Sequence, residues 1–149
     1  MTTSTNIAQT NTAHTNTVEQ TDVTQASASL IGRILLSAIF ILSGFSKLAA
    51  PAMIIGYIGS VGLPLPQLAL AVAIIVEIGG GLALIAGYRT RTVAAVLAVF
   101  SVFTALAFHN ALGDQNQFIH FFKNIAMAGG LLQVVAFGAG RFSLDARRR

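Results

Sequence analysis

The run Gln67–Gly87, QLALAVAIIVEIGGGLALIAG, limits what this chain can fold into more than any other stretch. It is 21 residues long, almost all apolar, and has one ionisable group, Glu77, at its midpoint. At about 1.5 Å per residue, a helix over it places Glu77 roughly 15 Å from either end. A hydrocarbon core is about 30 Å thick, so the run reads as a membrane span with a carboxylate at mid-depth. Insertion scales put a charge there at a cost of about 2.5–3.5 kcal/mol. The carboxylate must pair, take a proton or face a polar interior.

Three more runs have this character: Leu30–Leu48, Thr92–Phe108 and Phe118–Gly138. The fold class expected is all-α, an integral membrane four-helix bundle with spans near 30–48, 67–87, 92–108 and 118–138. Composition agrees. Charged residues make up 9% of the 149-residue chain and mean hydropathy is +0.74, whereas soluble domains carry about 25% charged residues. With no cysteine, the chain can form no disulfide, Fe–S cluster, zinc–thiolate site or attached c-type haem, and has no thiol chemistry of its own.

The flanks differ. Residues 1–28 are rich in Thr, Asn, Gln and Ser. They offer too little apolar surface to offset ordering entropy, so a disordered tail is expected, with His14 solvated in it. The tail lacks the basic start of a secretory signal. A cleaved signal ending near Ala49–Ala52 is the rival reading of the first run, but the run is long for that and Lys47 precedes the site. Pro51 can open a short interfacial helix through Gly59, and Gly62–Pro66 reads as an extended turn. Residues 143–149 form a basic C-terminal tail, leaving 29–142 as the membrane domain.

Seven of the nine Lys and Arg residues fall on one side of the four spans, and Lys47 and Lys123 on the other. The positive-inside rule then puts both termini in the cytoplasm. These basic groups suit anionic lipid headgroups, not nucleic acid, because no basic face is interleaved with exposed aromatics. Gly79-Gly80-Gly81 lies inside a span without a preceding strand or a P-loop lysine, so it is no phosphate loop.

Arg33, Ser37, Phe40, Gly44 and Lys47 share one helical face, which should turn toward protein. Ala73, Glu77, Gly80, Gly81 and Leu84 share another, whose small residues admit a close neighbour. Helical side chains lean toward their own N-terminus. Lys47 and Glu77, on antiparallel helices, therefore reach toward each other. Lys123 leans outward but remains a candidate partner. The expected site is an intramembrane polar cluster of Lys47, Glu77, Lys123 and Asn124, with His109 at its rim. Arg33 completes the candidate binding residues.

Each residue has a plainer reading. Glu77 can be an ion-pair anchor that fixes helix packing, Lys47 and Lys123 can snorkel, and Arg33, Arg89 and Arg91 can set topology. His109 and His120 flank one loop at the rim instead of facing each other mid-bundle, which argues against axial haem ligands. A metal site is as weakly supported, and no self-contained catalytic constellation is visible.

The ordered motifs carry a resemblance. Arg33-x6-Phe40-x3-Gly44-x2-Lys47, Glu77-Ile-Gly-Gly-Gly-Leu82, Gly87-Tyr-Arg-Thr-Arg91, Phe108-His109, Phe122-Lys123-Asn124 and Ser143-Leu-Asp145 resemble the DoxX family of small four-helix membrane proteins, in particular its YqjF-type bacterial inner-membrane branch. The resemblance covers about residues 30–145. It implies four spans in a bacterial inner membrane. It also implies a membrane subunit or anchor for a redox or stress-response complex, with an oxidoreductase or stress-response protein as partner. Any redox role in a chain without cysteine needs a bound quinone or a partner's centre. Two other functions compete: a small oligomeric transporter or permeability factor with Glu77 in a proton or solute path, and a structural membrane protein without a ligand.

Overall fold

The structure, a computed structural model, describes the backbone of residues 3–148 and the side chains of residues 20–148; His14 lies outside the described side chains. Regular structure among these residues is all helical: α1 (Thr3–Ala49), α2 (Pro51–Ser60), α3 (Pro66–Ile74), α4 (Gly80–Ala86), α5 (Thr90–Phe108) and α6 (Gln115–Phe137). A π-helical turn, Ile75–Gly79, joins α3 to α4. Ala146–Arg148 forms a short 3-10 turn.

Among the described residues, four segments are long and apolar enough to cross a membrane: Gln20–Ala49, Pro66–Ala86, Thr90–Phe108 and Gln115–Phe137. Their outer faces are apolar. Leu35, Ile75 and Val99 are each at least 68% exposed, a pattern that suits lipid and not water.

Local sequence explains the boundaries. Pro51 ends α1 and opens α2, since proline fits the first turn of a helix but not its interior. Pro66 opens α3 in the same way, with Leu65 just before it at φ 51°. Gly87, at φ 68°, closes α4 in the left-handed conformation that glycine adopts without a steric penalty. Asp114 caps α6 by accepting a hydrogen bond from the Gln117 amide at 2.9 Å.

The expected inward face of the first span is buried at Arg33, Ser37, Phe40 and Gly44. The core gathers Phe40, Leu84, Leu97 and Leu131 with Ala94, Ala98 and Ala128. Gly81 allows α1 to come close: a Cβ there would lie 2.7 Å from Ile41 Cγ1.

Both ends of the chain meet the bundle on the same side. Helical backbone runs from Thr3 into the first span. Ala26 is already buried, and the Ser29 hydroxyl donates to Ala139 O at 3.0 Å. The start of the first span and the end of the last thus lie together.

The segment after α6 is tied back to the bundle. Leu144 and Asp145 amides donate to Ala86 and Gly87 carbonyls at 3.1 and 2.9 Å. The Asp145 carboxylate accepts from the Arg89 and Thr90 amides and the Thr90 hydroxyl at 2.7–2.8 Å, capping α5. These bonds, that from the Thr90 amide above all, hold its carboxyl below the usual range.

Candidate functional site

The site forms in the half of the bundle remote from the termini. Lys47, in the last turn of α1, donates to Glu77 Oε1 at 2.8 Å. It also donates to Ser43 Oγ at 2.8 Å, and the Ser43 hydroxyl donates to the same Glu77 oxygen at 3.0 Å. The ammonium and the hydroxyl, one turn apart on α1, thus converge on one carboxylate oxygen. The Glu77 side chain is 5% exposed and the Lys47 side chain 22%. Glu77 Oε2 is buried and, among the described residues, has no hydrogen-bond partner.

Glu77 is the middle residue of the π-helical turn. Such a turn inserts a residue into the helical ladder and re-aims the side chains around it, and π-turns recur at functional sites. Here it presents the carboxylate to α1, while Gly81 one turn on keeps α1 close.

A cavity of about 520 Å³ surrounds this triad. Phe40, Phe103 and Met127 contribute apolar wall, and α2 contributes Ile54, Tyr57 and Ile58. Its polar lining holds Lys47, Glu77, His109, Lys123 and Asn124. All five members of the expected cluster therefore face one space.

Two pairings at the rim were not read from the sequence. Lys123 is exposed and its ammonium lies 3.0 Å from His120 Nδ1, not at Glu77. An ammonium only donates, so His120 Nδ1 is the acceptor. Lys47 alone meets the acid because it is one antiparallel neighbour away and leans inward; Lys123 leans out. His109 and His120, expected to flank one loop at the rim and not to face each other mid-bundle, stack at 5.1 Å between ring centroids and 26° between planes. The short connection capped by Asp114 brings α6 back beside α5, which sets His120 level with His109. Gln117 fixes the His109 ring through Nδ1 at 2.8 Å. The pair remains at the cavity rim.

Asn124 donates to His120 O at 2.9 Å and accepts from the Thr104 hydroxyl at 3.4 Å. Arg33 is not brought to this cavity. It is fourteen residues before Lys47, about 21 Å along the helix. There it is fully buried and donates to the Leu84 and Ile85 carbonyls at 3.0 Å and to Phe142 O. It satisfies the carbonyls that the end of α4 leaves free. Among the described residues no group of three His, Asp or Glu side chains converges.

Three contributors escaped the reading of the sequence. Ser43 could have been found, since it stands one turn before Lys47 on the same side. Tyr57, whose hydroxyl donates to Phe108 O at 3.0 Å, belongs to the interfacial helix. The π turn has no sequence signal that we recognise.

Comparison with known proteins identifies the family. The DoxX family model matches residues 28–110, more than half of the chain. The chain belongs to the DoxX family. The DoxX match spans α2 to α5 and most of the first span, with Lys47, Glu77 and His109 inside it. It is similar to the inner membrane protein YqjF of Escherichia coli K12, 35% identical over 116 residues, which are 78% of this chain and 88% of YqjF. It is also similar to the inner membrane protein YphA of the same organism, 33% identical over 123 residues, 79% of this chain and 88% of YphA. No solved structure matches. This DoxX protein is thus a multi-pass inner-membrane protein.

Proposed function

We propose that this chain is a membrane subunit of a redox or stress-response complex, and that its cavity receives a quinone headgroup. One observation carries the reading: Glu77 Oε2 is buried in an apolar-walled cavity and has no partner among the described residues. An unsatisfied buried acceptor costs about 1–3 kcal/mol, so a ligand that donates to it gains that much.

The donor set fits the group. Lys47 and Lys123 donate, which suits the carbonyl oxygens of a quinone, while His109 already gives its Nδ1 proton to Gln117. Glu77 Oε2 accepts, which suits the hydroxyl of the reduced form. The aromatic walls suit the ring, and the volume falls in the ordinary range for ligand sites, about 300–1,000 Å³. When bound, the quinone would supply the two-electron carrier that the cysteine-free chain lacks. The chain's own residues bind and orient the headgroup, and Tyr57 and Ile58 keep water from that side. Both termini in the cytoplasm, with the cavity toward the outer leaflet, is the topology that this reading adopts from the distribution of Lys and Arg.

The test is extraction of quinone from protein purified in mild detergent, quantified by mass spectrometry against a second inner-membrane protein. Quinone should be retained near one per chain and lost in Glu77→Gln while helicity persists. Retention no greater than in the reference protein would refute the reading. A redox enzyme that copurifies with the chain would identify the complex.

A further inference from the structure

At the opposite end of the bundle, a groove of about 670 Å³ lies between the start of α5 and the segment that follows α6. Arg89, Arg91 and Arg141 line it, together with Phe137 and Asp145. Among the described residues, none of the three guanidinium groups has a hydrogen-bond or ion-pair partner. Among the described residues Asp145 makes no ion pair with them; its two oxygens accept from the start of α5, and its charge offsets only part of theirs. Gly138, at φ 82°, leaves room for Arg91: a Cβ there would lie 3.4 Å from Arg91 Nε.

Phe137 makes the groove amphipathic. It is the last residue of α6 and 80% exposed, so one wall of the groove is apolar at the place where a span ends. Three free guanidinium groups beside an apolar wall, at interfacial depth, match a phosphate joined to acyl chains. Guanidinium groups recognise phosphate through paired N–H donors.

We propose that this groove is a binding site for an anionic phospholipid, with its phosphate on Arg91 and Arg141 and an acyl chain along Phe137. A basic residue at an anionic membrane surface contributes about 1 kcal/mol, close to fivefold in affinity. Loss of two guanidinium groups should then weaken retention by about 30-fold. The site is independent of the cavity around Glu77.

The test is native mass spectrometry of the full chain released from micelles that contain phosphatidylglycerol or phosphatidylcholine. The native chain should retain phosphatidylglycerol selectively. Arg91→Gln/Arg141→Gln should lose that retention while circular dichroism stays helical. Arg147→Gln/Arg148→Gln removes the same charge outside the groove and should retain the lipid. Phe137→Ser should weaken retention without a change in charge. Equal retention of both lipids, or equal loss in the two charge variants, would overturn the site in favour of diffuse attraction. Inorganic phosphate that displaces the lipid at low millimolar concentration would overturn the part assigned to Phe137.

Discussion

Replacement of Lys47 by Met tests the central pair most directly. The change removes the ammonium and leaves the Glu77 carboxylate with only the Ser43 hydroxyl at 3.0 Å. Removing one partner of a buried pair costs about 3–5 kcal/mol, because the remaining charge is left unpaired. The Lys47 side chain keeps 22% of its exposure, so the lower end, about 3 kcal/mol, is expected. Lys47→Met/Glu77→Leu removes both charges and keeps most of the volume, so it should regain most of the loss. The assay is reversible unfolding in mixed micelles with rising sodium dodecyl sulfate, followed by circular dichroism. A cost below about 1 kcal/mol for Lys47→Met would mean that the pair behaves as a solvent-exposed one, and the reasoning would fail. So would a double variant as unstable as the single one, since packing and not charge would then dominate.

Two further outcomes follow from the end that holds the termini. Gly87→Ala should cost about 2 kcal/mol or more, because φ is 68° and the new Cβ would press on Ser143 and lie 2.6 Å from Arg33 Nη1. The C-terminal segment should loosen, and trypsin should cut after Arg141 faster than in the native chain. The pH dependence follows from Asp145, whose carboxyl is held below its usual range chiefly by the Thr90 amide. A depressed carboxyl stabilises the fold above its unfolded pKa, about 3.9, and that contribution is lost as pH falls through and below this value. Asp145→Asn should flatten the acid limb of the unfolding midpoint against pH; an unchanged acid limb would contradict the assigned role.

The spans, the inward face from Arg33 to Lys47 and the Lys47–Glu77 contact were legible because each rests on local periodicity. An apolar run of this length satisfies its backbone within itself in lipid only as a helix, and the lean of helical side chains fixes which charges can meet. The histidine stack and the Arg33 clamp were not legible. They depend on which residues of different helices stand level, and that depends on loop length, capping and crossing geometry.

Sequence by itself thus determined four membrane spans and an acid at mid-depth that must pair, take a proton or face a polar interior. Only the tertiary structure decided that Lys47 and Ser43 share one oxygen of Glu77 while the other stays free in a cavity, and that Arg33 serves the far end. The reason is physical. Hydropathy is a sum along the chain, but a hydrogen bond is satisfied only across space, by whatever packing and a π turn bring within 3 Å.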